Sequence, residues 1–239
     1  MQSANPAAAA VVLAGGSGTR VGADRNKVYL PLGGRPVLAW SLDTFAHLPG
    51  IAALVLVARD GDREAVATLL AARGTEGLPV EVVTGGGTRQ ESELAALRHL
   101  APRITSGALD VVLLHDGARP LATRTLATEV LRVARADGGA VPGLRRYDLA
   151  AATADGAGLA GAPPTGLVAV QTPQGFRAAP LLAAYEEAAR LGFAGTDTAS
   201  CMERFAPGVR IRWVPGEERN FKITYAHDLV AAEHAAAGV

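Results

Sequence analysis

Short β-rich runs alternate with helix-period segments along almost the whole chain, and this alternation limits the fold more than any other feature. Strands are predicted over 9–13, 52–58, 80–83, 111–114, 139–144, 167–171, 209–214 and 221–223. Between them, "PVLAWSLDTFAHL", "DREAVATLLAAR", "RQESELAALRHL" and "TLATEVLRVARA" carry apolar residues three and four apart, the spacing of one helix face. A last helix is expected over "YAHDLVAAEHAA". This order specifies an α/β fold, a mostly parallel sheet with crossover helices. A chain of 239 residues suffices for one such domain with a full core. No repeat or linker divides it.

One segment breaks the rhythm. "RRYDLAAATADGAGLAGAPPTG", residues 145–166, has little apolar periodicity and is rich in Gly, Ala and Pro. Two readings stay open, a flexible surface excursion or a protruding β-arm. Structureless loops beyond about 15 residues are uncommon in compact domains and often functional.

Charge narrows the function classes. The 23 basic and 23 acidic residues balance, so no global field draws the chain to nucleic acid or membrane, although a local basic pocket stays possible. A single cysteine, Cys201, excludes an internal disulfide and a multi-cysteine zinc site. A reducing, cytoplasmic setting is expected. No apolar run reaches the roughly 18 residues of a membrane span. "MQSANPAAAA" has no positive n-region, so no signal peptide is expected.

The first predicted strand empties into glycines in "VVLAGGSGTRVGADRNKVYLPLGGRPVL". A dinucleotide fingerprint G-x-G-x-x-G fails here. Gly16 and Gly18 fit, but Val21 holds the third glycine position and Gly22 comes one residue late. No acidic residue closes a second strand about 20 residues on. A Walker A loop fails too, since Lys27 stands between Asn26 and Val28. What remains is a nucleoside-triphosphate loop that grips phosphates with backbone amides, with Arg20 and Lys27 as rim cations. The competing reading is a plain glycine turn with two solvated basic residues.

Later motifs add polar groups at strand ends. "VVLLHDGARP" ends in His115, Asp116 and Arg119. A carboxylate at the C-terminal end of a parallel strand lies where ligands bind in open α/β sheets. Asp116 can serve ribose hydroxyls, a Mg²⁺ between phosphates, or the cap of the next helix. "VVTGGGTRQES" ends a strand in Gly85–Gly87, whose backbone can approach a flat base edge, with Ser92 adding a hydroxyl. "QTPQGF" follows a strand, and "GTDTAS" reads as a helix start capped by Thr196 or Asp197. In "RNFKIT", Lys222 lies between Phe221 and Ile223, either snorkelling at an edge or aimed into a cleft.

"LAGGSGTR…NKVYLPLGGRPVL", "HDGARP", "TPQ", "TDTAS" and "NFKIT", in this order from about Val11 to His234, resemble one family closely. It is that of the 2-C-methyl-D-erythritol 4-phosphate cytidylyltransferases and their polyol-phosphate relatives. The resemblance implies a Rossmann-like sheet, a dimerising β-arm over 145–166, and Mg²⁺-dependent cytidylyl transfer from CTP to a phosphorylated polyol by a homodimer. By the same resemblance, Arg20, Lys27 and Lys222 are catalytic cations. Gly16 and Gly18 belong to the nucleotide loop, and Ala14, Gly15, Gly86 and Ser92 read cytosine. Asp116 and Gly117 meet ribose and the metal region, while Arg119, Thr172 and Thr196 face the acceptor.

The departures cluster on the acceptor side. The arm's usual Asp-Thr pair reads Asp148-Leu149, and the expected arm arginine falls at or near Pro164, leaving Arg145 or Arg146 to supply that charge. Asn26 stands where a proline usually precedes the loop lysine, and "TDTAS" replaces "TDDAS" or "TDEAS". Three functions follow in order: methylerythritol-phosphate cytidylyltransferase, a cytidylyltransferase for another polyol phosphate or a phosphonate, and a non-catalytic nucleotide-binding paralogue.

Overall fold

The structure, a computed structural model, describes residues 7–16, 26–74, 77–161 and 165–237. Gly18, Arg20 and Pro164 lie outside the described residues.

In chain order the strands are β1 (Ala7–Leu13), β2 (Pro31–Leu32), β3 (Arg35–Pro36), β4 (Ile51–Ala58), β5 (Val80–Thr84), β6 (Leu109–Asp116), β7 (Gly138–Arg145), β8 (Val168–Val170), β9 (Gln174–Arg177) and β10 (Arg210–Pro215). The helices are α1 (Val37–Ala46), α2 (Arg63–Arg73), α3 (Arg89–Thr105), α4 (Arg124–Asp137), α5 (Ala178–Arg190), α6 (Thr198–Phe205) and α7 (Ala226–Ala237). Strands β2 and β3 pair with each other; the remaining eight form one sheet, ordered β10-β7-β9-β6-β1-β4-β5, with β8 on β7. Pairings across β6, β1, β4 and β5 are parallel, whereas β9 runs antiparallel to both β6 and β7.

The central strands read as unbroken apolar runs because both sheet faces are covered. Along β1, Ala8, Ala10 and Val12 face one core with Leu42 and Phe45 of α1, while Ala9 and Val11 face the other with Leu97 and Leu100 of α3. Each fully buried Leu or Phe there contributes about 1.5–3 kcal/mol. A third, smaller cluster joins Leu32, Val37, Leu121 and Ile223 with Ala232 of α7. It pins the segment that carries Lys222.

Two expectations need correction. Residues 221–223 are not a strand. The Ile223 N–H donates to the Ala118 carbonyl at 2.8 Å, a loop contact, and the Phe221/Ile223 alternation reflects burial in the third cluster. Conversely, β9 escapes prediction because its four residues, Gln-Gly-Phe-Arg, show no clean alternation. The described residues of segment 145–166 carry some pairing. Arg145 registers with Val168, and an isolated antiparallel bridge joins Ala152 and Leu159. These pairings are local β structure of the kind the β-arm reading expects.

Candidate active site

Leu13 and Asp116 are register partners at the C-terminal ends of β1 and β6. From this point the chain's strands lead away in opposite directions, toward β4–β5 and toward β9, which opens a crevice above the sheet. Gly117 closes the join. Its N–H donates to the Leu13 carbonyl at 2.9 Å, and a side chain there would put Cβ 2.9 Å from that same oxygen. Only glycine lets the two strand ends meet so closely.

Backbone forms one wall. Ala14 is buried, with its N–H on the Val57 carbonyl and its own carbonyl accepting from Asn26 Nδ2, so Gly15 and Gly16 present the exposed main chain. Opposite, β5 passes through Gly85–Gly87 into α3, whose first turn is a capping box between Thr88 and Glu91. At Gly86 a Cβ would fall 2.3 Å from Glu91 Cβ, undoing that cap. The Ser92 hydroxyl donates to the Thr88 carbonyl at 2.9 Å.

Charged side chains form the other wall. The Asp116 carboxylate accepts from Arg89 Nη1 at Oδ1 and lies 2.9 Å from Lys222 Nζ at Oδ2, with Arg119 Nε 3.6 Å away. Burial alone would raise the Asp116 carboxyl, but Arg89, Lys222 and Arg119 outweigh it and hold it well below the usual carboxylate range. Arg89 also donates Nε to Glu93 at 3.1 Å. Glu93, 1% exposed, takes two more hydrogen bonds, from Tyr185 at 2.6 Å and Thr198 at 2.8 Å. Burial pushes the Glu93 carboxyl upward against these three donors. The Arg89 guanidinium is disfavoured by burial, yet Asp116 and Glu93 keep it firmly protonated. Its Nη2 is buried with no partner among the described residues, a donor suited to an anion.

His115 has a different task. Fully buried, its imidazole is pushed down to about 4, chiefly by desolvation, and is neutral at pH 7. Nε2 lies 3.1 Å from the Arg119 carbonyl, which can only accept, so Nε2 carries the proton. Nδ1 then accepts from the Thr172 hydroxyl at 3.1 Å, while that hydroxyl accepts from the Asp116 N–H at 3.0 Å. The hydroxyl proton of Thr172 is thereby committed within the protein.

Gly15, Gly16, Lys27, Gly86, Ser92, Asp116 and Lys222 line one cavity of about 210 Å³ together with Arg89. Ala14, Gly117, Arg119 and Thr172 stand directly behind it through the bonds above. Thr196 is exposed on the loop before α6, whose cap is the neighbouring Asp197, bonded to Ser200 N at 3.0 Å. Lys27 is 6% exposed, in a single 3₁₀ turn over Lys27–Tyr29. Lys222 is steadied by its neighbours: Asn220 donates Nδ2 to the Thr172 carbonyl at 2.8 Å and accepts at its own carbonyl from Arg119 Nη1 at 2.7 Å. At the arm's base, Arg145 stacks 4.9 Å over Trp213 and Arg146 pairs with Asp148. A larger hollow of about 780 Å³ runs beside α2, but of its charged residues Arg59, Asp62 and Glu64 the first two pair with each other, and among the described residues no cation remains there for a phosphate.

Sequence reasoning missed Arg89. The available signal was Arg89 and Glu93 four apart on a helix, with the glutamate set among apolar positions.

Lys27, Arg89, Lys222 and the Asp116 carboxylate around exposed glycine backbone form a site suited to a polyphosphate, the kind a nucleotidyltransferase uses. The family model described as 2-C-methyl-D-erythritol 4-phosphate cytidylyltransferase matches residues 8–237. The relative of that name from Synechococcus elongatus is 39% identical over 226 residues, 93% of each chain. That from Geobacter metallireducens is 37% identical over 224 residues, 94% of this chain and 95% of its own. Among solved structures, 4-diphosphocytidyl-2C-methyl-D-erythritol synthase from Anaerococcus prevotii superposes with a TM-score of 0.83 at 28% identity, covering 97% of this chain and 96% of that one. The 2-C-methyl-D-erythritol 4-phosphate cytidylyltransferase of Thermus thermophilus gives 0.72 at 31% identity, covering 97% and 99%. The chain belongs to this family, the cytidylyltransferases of isoprenoid precursor synthesis. Of the three functions left open by the sequence, membership selects the first.

Proposed function

We propose that CTP binds in the cavity at the ends of β1 and β6 and that the phosphate of 2-C-methyl-D-erythritol 4-phosphate attacks its α-phosphorus there. The observation that carries this reading is the convergence of Lys27, Arg89, Lys222 and Asp116 on one cavity rimmed by exposed glycines. An acceptor oxygen forms a bond to the α-phosphorus as the bond to pyrophosphate breaks. No general base is required, because a phosphate monoester with a second pKa of about 6 is already largely dianionic at pH 7. Catalysis is then positioning plus charge stabilisation. Lys27 and Arg20 hold the triphosphate, and Lys222 stabilises the α-phosphate and the incoming phosphate together. Gly15, Gly86 and Ser92 read the base, with Ala14 supporting them from behind; Gly16 and Gly18 belong to the phosphate loop. Asp116 meets the ribose, with Gly117 holding its strand in register. Arg119 and Thr196 face the acceptor, and Thr172 offers it an acceptor lone pair only.

The donor set fits Mg²⁺. Asp116 is a hard oxygen ligand on the cavity wall, and Mg²⁺ held mainly by phosphate oxygens and water needs only one or two carboxylates. Among the described residues no cluster of three His, Cys, Asp or Glu forms a dedicated metal cage. Bound beside Asp116, the ion would neutralise phosphate charge.

The chain acts in this reading as one nucleotidyltransferase domain over 1–239, working as a homodimer through the arm at 145–166. The exposed Tyr147, Leu149 and Leu159 of that arm support an interface there. A cytoplasmic setting agrees with the lone, buried Cys201 thiol. Among the described residues no helix is long and apolar enough to cross a membrane.

The test is pyrophosphate release from CTP with 2-C-methyl-D-erythritol 4-phosphate, ribitol 5-phosphate and a simple phosphonate in parallel. Turnover is expected to be fastest with the first. No turnover with it, alongside turnover with another acceptor, would overturn the acceptor while keeping the chemistry.

A further inference from the structure

Asn26, immediately before Lys27, is 1% exposed and spends its whole side-chain amide on three separate pieces of the molecule. Nδ2 donates to the Ala14 carbonyl at 2.6 Å and to Asp62 Oδ2 at 3.2 Å. Oδ1 accepts from the Val28 N–H at 3.4 Å. Ala14 is the first residue beyond β1, on the wall whose main chain faces the base. Val28 lies in the 3₁₀ turn that carries Lys27. Asp62 leads into α2 and is itself gripped by Arg59 through bonds of 3.0 and 2.8 Å.

The chemistry of this joint is particular to a primary amide, which offers two N–H donors and one carbonyl acceptor on a short stem. Aspartate has the shape but donates nothing. Alanine supplies neither donor nor acceptor. Burial removes water as a substitute partner, so each lost bond leaves the Ala14 carbonyl or the Lys27 turn without its tie.

We propose that Asn26 is the positioning residue for Lys27: its amide locks the lysine's turn to the end of β1 and thereby sets the distance between base-reading backbone and phosphate-holding ammonium. Asp62, itself held by Arg59, braces the amide as a second anchor. This rests on the reading that Lys27 meets the triphosphate. A lysine displaced by even about 1 Å forfeits much of its effect on a transition state, with losses that reach about 10²-fold.

The backbone at Asn26, φ −58° and ψ 126°, suits a proline as well as an asparagine. Asn26→Pro therefore keeps the chain direction and deletes the amide, which separates a requirement for the bend from a requirement for the hydrogen bonds. The experiment measures pyrophosphate release by the full chain at varied CTP and varied 2-C-methyl-D-erythritol 4-phosphate, for Lys27→Ala, Asn26→Ala, Asn26→Pro, Asn26→Asp and the Asn26→Ala/Lys27→Ala double variant. Asn26→Ala and Asn26→Pro are each expected to lower kcat/KM for CTP about tenfold or more, with the acceptor KM changed less than about threefold. In the double variant, losing Asn26 is expected to add little to the loss of Lys27. Wild-type kinetics in Asn26→Pro, or penalties that multiply in the double variant, would overturn the proposal. If Asn26→Ala does not fold, Asn26→Asp decides, since it keeps the shape and the Val28 contact: unchanged kinetics there overturns the proposal, and a CTP-selective loss supports it. Undiminished turnover in Lys27→Ala would instead refute the underlying role of the lysine.

Discussion

Lys222 lays its ammonium 2.9 Å from Oδ2 of Asp116, so a flexible cation is held at the cavity wall by a carboxylate that two arginines also face. The group is net positive: Arg89, Arg119 and Lys222 against Asp116 and Glu93. Removing Asp116 leaves three cations facing one carboxylate that is itself buried. Asp116→Ala is expected to lose about 3 kcal/mol of folding stability or more, since breaking a buried pair leaves uncompensated charge. Denaturant unfolding measures it. An equally stable variant would show that the cluster is not electrostatically coupled.

Arg89 spans the two buried carboxylates, and its removal is expected to do more than remove one charge. Arg89→Ala leaves Glu93 with two neutral hydroxyl donors in a desolvated site. A stability loss of about 3 kcal/mol is expected, largely relieved in Arg89→Ala/Glu93→Gln, because the second change removes the orphaned charge. Arg89→Lys should not rescue, as one ammonium cannot reach both carboxylates in the geometry of a guanidinium. Thermal or chemical denaturation of the three variants checks this order.

How much of this was legible in the sequence follows from where each residue finds its partners. Strands β1, β4 and β6 could be read because burial on both sheet faces demands a continuous apolar run. The helices could be read because their apolar stripes face those strands. The β9 strand could not, since Gly175 lies where a Cβ would come 2.8 Å from Leu113 Cδ2, and glycine there erases the alternation that marks a strand. Lys27, Asp116 and Lys222 stand in motifs whose order along the chain pointed to the site. Asn26 gave no such sign: its partners at Ala14 and Asp62 are 12 and 36 residues away, and only tertiary structure brings them together.

Gly117 offers a test of the strand junction. Gly117→Ala would set a methyl 2.9 Å from the Leu13 carbonyl and 2.8 Å from Leu38 Cδ1, forcing β1 and β6 apart where Asp116 emerges. A cost of about 1–3 kcal/mol is expected from the overpacking, together with reduced kcat/KM for CTP. Unfolding curves and the pyrophosphate assay on one preparation report both.

Cys201 should behave as an inert thiol in the native protein. It is fully buried, and desolvation, followed by the nearby Glu93, pushes its pKa up to about 12. In the unfolded chain a cysteine ionises near ~8.5, so the folded state holds its proton longer and stability declines as pH rises from about 9 toward 12. Iodoacetamide at about pH 8 is expected to label Cys201 only at the rate of unfolding. Rapid stoichiometric labelling of native protein would contradict its burial.

The most direct test of the central claim is single-turnover pyrophosphate release from CTP and 2-C-methyl-D-erythritol 4-phosphate by Lys27→Ala and Lys222→Ala. Each is expected to lose about 10²- to 10³-fold in rate, the scale of removing one preorganised electrostatic group from a transition state, or roughly 3–4 kcal/mol. Folding should be little affected in Lys222→Ala, whose side chain is 39% exposed. Wild-type rates in either folded variant would contradict the claim that the cations of this cavity carry the transfer.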